Sequence, residues 1–266
     1  MSDTIKTAVL GCGKVGHFHA KCYQSLDGSE FVGAVGTRPG RGAAFGAEYG
    51  VPGFDSLAEL VDRTGAQAVS ICTPHPNHES YAVEAARLGL HIAIEKPLAS
   101  TLADCDAIIA AAQQSRVIGT TICQRRFYHP AMRIKQAIDA GKLGHPILGT
   151  VNMLGWRNMA YYRSDPWRGT WAGEGGGVLV NQAPHQLDLW QWICGVPQSV
   201  FAKLAFGFRR DIAVEDEVTA VVDFGEGATG TFITCTHDLP GTDRLEILLD
   251  AGKIVVENSR TVTITR

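Results

Sequence analysis

Thr7-Ala8-Val9-Leu10-Gly11-Cys12-Gly13-Lys14-Val15-Gly16-His17-Phe18-His19, near the start of the chain, decides the fold. An apolar run, Ala8-Val9-Leu10, leads into Gly11-x-Gly13-x-x-Gly16, and a helical pattern follows. A βαβ unit built to hold a dinucleotide has that order. Gly11 makes the tight turn off the strand. Gly13 has no Cβ, so the loop backbone, with Cys12, Lys14 and Val15, can lie close to a pyrophosphate. Gly16 lets the helix pack closely on the sheet. The helix start directs free N–H groups and a partial positive charge at the phosphates. In a chain with 30 Gly, the motif draws its force from its place after a strand and before a helix.

The 266 residues carry a net charge of -3 and are 45% hydrophobic, enough to bury a core in one large domain or two smaller ones. No basic excess points to nucleic acid, and no charge run marks a tail. Met1-Ser2-Asp3-Thr4 is polar and lacks the basic segment and apolar core of a signal peptide. No apolar stretch approaches the length of a membrane span, so the expected location is the cytoplasm. The 7 cysteines are odd in number and scattered, and they never form a Cys-x-x-Cys pair. They read as reduced thiols rather than disulfides or a metal site, and no metal is expected.

Strand-like and helical runs alternate from Ile5 to about Ile122. Strands are expected at Ile5–Leu10, Phe31–Gly36, Ala68–Cys72, His91–Glu95 and Val117–Ile122. Helices are expected near Lys14–Leu26, Arg41–Tyr49, Leu57–Arg63, His78–Leu88 and Leu102–Ser115. Ser56-x-x-Glu59 reads as a capping box, Thr101 as an N-cap and Gly89 as a helix stop. Short connections and near-continuous apolar strands predict a parallel sheet covered on both faces. Right-handed crossovers then put the strand C-termini along one edge, where ligands bind.

A dinucleotide fold usually offers Asp or Glu to the adenosine ribose at the end of its second strand. The matching stretch, Gly36-Thr37-Arg38-Pro39-Gly40-Arg41, holds no acid. The hydroxyl of Thr37 and the guanidinium groups of Arg38 and Arg41 can bond a 2′-phosphate that an acid would repel. The stretch therefore favours NADP(H) over NAD(H).

Two further stretches fall at strand ends on the same edge, Thr73-Pro74-His75-Pro76-Asn77-His78 and Glu95-Lys96-Pro97. A lysine at such a strand end, followed by a turn-fixing proline, is unusual. Together with the glycine loop, Arg125-Arg126-Phe127 and the block from Gly175-Gly176-Gly177 to Asn181-Gln182-Ala183-Pro184-His185-Gln186-Leu187-Asp188, they carry a resemblance. The chain is similar to the glucose–fructose oxidoreductase / inositol dehydrogenase / MocA family of nicotinamide-dependent sugar and polyol oxidoreductases. The resemblance implies a Rossmann domain over residues 1–123. It implies an α+β substrate-binding domain over 124–266, whose large, open, mostly antiparallel sheet forms a homodimer or homotetramer interface. It also implies coenzyme contacts from Thr73, Pro74, His78, Glu95, Lys96, Arg125, Trp167 and Arg168, and a substrate contact from Arg126. Family members continue past the point matching Arg266 with further strand and a helix, so the chain reads as truncated at its C-terminus or as a short member.

After Gly144 the alternating rhythm stops. An irregular stretch, Gly155 to Gly173, holds Trp156, Tyr161, Tyr162, Trp167, Arg168 and Trp171. Its aromatic residues suit either a sugar platform, with Trp156 and Tyr161 against substrate, or core packing. A helical segment covers Leu187 to Ile193. Strand-like runs follow at Val200–Phe208, Val218–Phe224, Thr229–Cys235, Arg244–Leu249, Lys253–Val256 and Thr261–Thr265. Consecutive strands without helices predict an antiparallel sheet.

Oxidising a secondary alcohol needs a hydride acceptor close to the C–H, a base for the hydroxyl proton and a polar partner for the oxygen. The resemblance assigns these protein roles to Lys96, Asn181 and His185. His185 is expected to accept the proton and Lys96 to polarise the oxygen. Asn181 cannot act as a base where many relatives carry Asp, so it is expected to position substrate. Asn181 and His185, four apart, would share a helix face that Pro184 kinks. Asp188 is expected to orient His185 or cap local backbone. Two other readings are a family member that cycles hydride for a net non-redox step such as glycoside cleavage, and a non-catalytic coenzyme sensor. A sensor has no need of both Lys96 and His185.

Overall fold

Ala8, Val9 and Leu10 are completely buried in the central strand of a six-stranded parallel sheet. The structure is a computed structural model and describes residues 4–207 and 211–265. By internal contacts the chain divides into two units, Met1–Ile122 and Cys123–Arg266.

The first unit runs β1 (Ile5–Leu10), α1 (Lys14–Ser25), β2 (Ser29–Val35), α2 (Arg41–Tyr49), β3 (Gly53–Phe54), α3 (Leu57–Thr64), β4 (Ala68–Ile71), α4 (His78–Arg87), β5 (His91–Ile94), α5 (Leu102–Ser115) and β6 (Gly119–Thr121). The strand order is β3-β2-β1-β4-β5-β6. The order reverses between β1 and β4, so their C-terminal ends flank the crevice in which this topology holds a nucleotide. Successive β1 residues serve opposite faces. Ala8 and Leu10 pack with Leu57, Ile71 and Ile92, while Val9 packs with Ala20, Ala34 and Phe45. Burial on both faces is why these strands are continuously apolar. The Ser56 and Thr101 side chains cap α3 and α5. The two-residue β3 lies outside the expected strands, being too short to show a period.

The second unit runs α6 (His129–Asp139), β7 (Pro146–Trp156), α7 (Met159–Arg163), α8 (Trp171–Glu174), α9 (Val178–Asn181), α10 (Pro184–Cys194), β8 (Ser199–Phe206), β9 (Glu215–Gly225), β10 (Ala228–Cys235), β11 (His237–Leu249), β12 (Gly252–Glu257) and β13 (Thr261–Thr265). The strands form one sheet in the order β13-β12-β11-β7-β10-β9-β8. Every neighbouring pair is antiparallel except β7 with β10. Neither α6 nor β7 was expected. The strand at the middle of the sheet hides because Gly149 and Gly155 interrupt its apolar pattern. Gly149 stands beside Gly230 in register, and a Cβ at either would come within 2.3 Å of the Trp190 ring. The glycines make a flat bed for Trp190 of α10. Phe206 closes β8, and Phe208, where that strand was expected to end, lies outside the described residues.

One sheet face is covered by α6 and α10 through Ile134, Leu189, Trp190, Phe232 and Ile247. Phe201, exposed at 79%, and its cross-strand partner Val221 belong to the opposite face, as do the paired Leu148 and Leu248.

Candidate active site

The three glycines of the first loop meet different surroundings. Gly11 has φ +106, and a Cβ there would lie 2.6 Å from the Cys72 carbonyl oxygen. A Cβ on Gly16 would lie 2.0 Å from the Gly11 carbonyl oxygen. A Cβ on Gly13 would meet nothing within 4 Å. Gly11 and Gly16 are thus required by the fold, whereas Gly13 fronts open space with Lys14 and Val15 exposed beside it. Cys12 turns into the core, with Sγ on the Val35 carbonyl at 3.5 Å, so only its main chain serves the loop. Its carbonyl accepts from the Arg41 guanidinium at 3.1 Å. The first turn of α1 holds no acid. At the end of β4, Thr73 is buried and its Oγ1 has no hydrogen-bond partner among the described residues. An open N-terminal helix face beside an orphaned buried hydroxyl fits an anionic, hydrogen-bonding ligand such as a dinucleotide pyrophosphate.

A cavity of about 210 Å³ opens at the end of β2, lined by Thr37, Arg38, Asp55, Tyr81 and Glu84 among others. The two carboxylates are additions to the sequence-predicted set. Asp55 Oδ1 accepts from Gly40 N–H at 3.2 Å, steadying the Thr37–Arg41 loop. The acid follows the two-residue β3, and a strand that short gave no signal to place it.

His78 is completely buried. Its Nδ1 is 2.9 Å from the Pro97 carbonyl oxygen and its Nε2 2.9 Å from that of Thr73. The ring lies between the loop after β4 and the loop after β5, and since both facing atoms are carbonyl acceptors a neutral ring donates to one of them. Pro74 is exposed on the first of these loops, and Lys96 is half-buried on the second, where the Lys96–Pro97 peptide is cis. Glu95 is likewise engaged within the unit, accepting from His19 Nε2 at 3.0 Å and Lys96 N–H at 3.3 Å. Burial pushes the Glu95 carboxyl up, but the His19 hydrogen bond, the Lys96 charge and the Lys96 main-chain N–H outweigh it. The carboxyl is held below the usual range.

In the second unit, Arg125 bonds Asp243 at 3.1 Å and Ser259, so its guanidinium braces the β11 side of the sheet. Arg126 is held by both oxygens of Asp188 and lies 5.6 Å from the Trp192 ring centroid. Asp188 thus fixes Arg126. The shared helix face is corrected. Asn181 ends α9, and Pro184 begins α10, where its missing N–H costs nothing. His185 occupies the first turn of α10 and is half-buried. The glycine run before α9 does not approach a ligand at Gly177, because a Cβ there would lie 2.0 Å from the Glu215 carbonyl oxygen. The Glu215 carboxylate accepts from Gly177 and Leu179 N–H at 2.8 and 3.0 Å.

Tyr161, Arg168 and Asn181 do come together. Tyr161 Oη accepts from Arg168 at 2.6 Å, from Asn181 Nδ2 at 3.0 Å and from Gln182 at 3.3 Å. The Arg168 guanidinium lies over the rings of Tyr161 and Trp167 at 4.4 and 4.5 Å. Asn181 also bonds Glu174, a buried carboxyl that burial raises against its bonds from Gly169 and Asn181. Glu174 was not anticipated; a lone acid in an irregular stretch carries no periodic signal. Trp156 ends β7, partly exposed. Among the described residues there is no group of three or more His, Cys, Asp or Glu placed to hold a metal. No helix among them is long and apolar enough to cross a membrane.

Sheet order, glycine turn and helix N-terminus define a dinucleotide-binding Rossmann unit. Residues 5–122 match the family described as oxidoreductase family, NAD-binding Rossmann fold, and residues 131–255 match the GFO/IDH/MocA C-terminal domain. The chain belongs to the Gfo/Idh/MocA oxidoreductase family. It is 27% identical to the myo-inositol 2-dehydrogenase of Thermotoga maritima, over 98% of this chain and 77% of the relative. It is 26% identical to the scyllo-inositol 2-dehydrogenase (NAD(+)) of Bacillus subtilis, over 98% of this chain and 76% of the relative. The WlbA dehydrogenase from Bordetella pertussis, crystallised with NADH and UDP-GlcNAcA, superimposes with a TM-score of 0.90 at 29% identity, covering 98% of this chain and 82% of that one.

The glycine loop separates two effects by substitution. Gly13→Ala is expected to cost no more than about 1 kcal/mol of stability while weakening NADPH and NADH binding at least about tenfold. Gly16→Ala is expected to lose about 1–3 kcal/mol of stability through overpacking. Thermal unfolding and fluorescence titration check the pair; equal stability losses in the two variants would contradict the assignment.

Proposed function

We propose that the protein transfers hydride between a nicotinamide coenzyme and a secondary hydroxyl of a sugar, polyol or related cyclic compound. The observation that carries the reading is the position of Lys96, directly after β5 on the strand edge that bears the Gly11–Gly16 loop. When bound, the coenzyme supplies the hydride acceptor or donor. The chain's residues then do the rest. The Gly13 backbone and Thr73 Oγ1 hold phosphate and ribose oxygens. Lys96 polarises the substrate oxygen as charge develops on it. His185 takes the hydroxyl proton. Asn181, whose amide N–H donates within the Tyr161 cluster, orients substrate. Tyr161, Trp156 and Arg126 shape the same substrate region, and Trp167 and Arg168 belong to its coenzyme side.

The coenzyme preferred is NADP(H). Thr37, Arg38 and Arg41 supply a hydroxyl and two guanidinium groups where a 2′-phosphate would sit, and none of residues 36–41 is an acid. Asp55 and Glu84 in the same cavity act against a phosphate, so Arg38 decides the balance. The open face around Phe201 and Val221 is proposed as the contact of a homo-oligomer, a dimer or tetramer. The seven cysteines, all free thiols, suit a cytoplasmic protein.

A panel of inositols, monosaccharides, disaccharides and anhydrosugars, assayed with NADP and NAD in parallel, is expected to yield coenzyme reduction. Lys96→Ala is expected to lose it by about a hundredfold or more. Arg38→Ala should weaken NADPH about tenfold relative to NADH, the loss of one charge-assisted contact. Tighter NADH than NADPH in the unaltered protein would overturn the preference. Tight NADPH binding with no reduction on any substrate would leave the sensor reading in its place. Light scattering tests the interface: Phe201→Asp is expected to halve the particle mass or more, and a wild-type monomer would contradict it.

A further inference from the structure

His19, the last residue of the opening motif, has no task in coenzyme binding. It lies on α1, three residues after Gly16, and is nearly buried. Its Nδ1 is 2.9 Å from Ser70 Oγ of β4, and Ser70 Oγ is 2.5 Å from Tyr23 Oη. Its Nε2 is 3.0 Å from Glu95 Oε1, and Glu95 Oε2 accepts the Lys96 main-chain N–H at 3.3 Å. The direction of this chain follows from chemistry. An ionised carboxylate only accepts, so His19 Nε2 donates to Glu95. With one proton on the ring, Nδ1 accepts from Ser70 O–H, and Ser70 Oγ accepts from Tyr23 O–H. Every member is then satisfied, in a nearly water-free setting where Ser70 is completely buried.

We propose that His19 is a positioning residue for Lys96, fixing through Glu95 the main chain from which the lysine leaves β5. The link rests on the reading of Lys96 as the group that acts on substrate. It couples α1, whose start faces the coenzyme, to the strand end that carries the lysine, so the two reacting partners are set by one hydrogen-bonded chain. Glu95 thereby acts through Lys96 rather than as a coenzyme ligand.

Amide hydrogen exchange in the full-length protein, free of coenzyme, reads the link without a substrate. In His19→Leu the Lys96 amide is expected to exchange about tenfold faster, the loss of one hydrogen bond, with the Ile92 and Ile94 amides of β5 unchanged. His19→Gln keeps a donor for Glu95 and an acceptor for Ser70, and is expected to restore most of the protection. Where His19→Leu does not fold, Glu95→Gln breaks the same link from its other end and should give the same result. With a substrate from the panel, kcat is expected to fall about tenfold or more while NADPH affinity stays within about twofold. Unchanged Lys96 exchange, or equal acceleration along all of β5, overturns the proposal. Turnover retained in Lys96→Ala overturns instead the catalytic reading of Lys96, so the two failures are told apart.

Discussion

The close approach of the β1–α1 turn to the end of β4 is the contact on which the first unit depends. Gly11 in the left-handed region clears the Cys72 carbonyl, and Gly16 clears the Gly11 carbonyl. No side chain fits at either point, so α1 can begin at the sheet edge only with these two glycines. The consequence is electrostatic as well as steric. The free N–H groups of α1 end where β1 and β4 part, and the orphaned Thr73 hydroxyl stands beside them. Farther along the same edge, the His78 ring lies between the Thr73 and Pro97 carbonyls, and the Glu95 carboxylate ties His19 to Lys96. One continuous rim of strand ends thereby carries the glycine loop, Thr73 and Lys96.

The second unit solves a different problem. Its sheet must carry a helical layer on one face, and it does so by removing side chains from the middle. Gly149 and Gly230 admit the Trp190 ring, whose burial offsets the loss of two strand side chains. Above the sheet, irregular chain is held by buried carboxylates instead of by regular structure. Glu215 accepts the N–H groups at the start of α9, and Glu174 gathers Gly169 and Asn181. Such groups persist in a core because each is matched to donors. The Tyr161 hydroxyl, with donors from Arg168, Asn181 and Gln182, is the polar centre of this layer.

The first unit was legible in the sequence almost element by element. Its strands are apolar on both faces and its helices carry local stop and start signals. Ser56, Thr101 and Gly89 each act within a few residues of where they stand. The second unit was legible only where strands alternate and turns punctuate them. β7 was lost because its Gly149 answers to Trp190, some forty residues away, and no local period records that. The same distance effect hides the bonds within the site: Asp243 and Asp188 hold Arg125 and Arg126 from far along the chain. Gly11 and Gly16 stand in the tight turn that the motif predicts, because the signal for it, a strand running through glycines into a helix, lies within the motif.

The most direct test of hydride transfer follows a labelled atom. The protein is incubated with NADPH carrying deuterium at nicotinamide C4, on each face in turn, together with keto derivatives of inositols and sugars. One face should give a product alcohol with deuterium on the newly formed C–H carbon, and the other face should give none. Reduction without carbon-bound deuterium from either face, or deuterium appearing only in water, would contradict direct transfer.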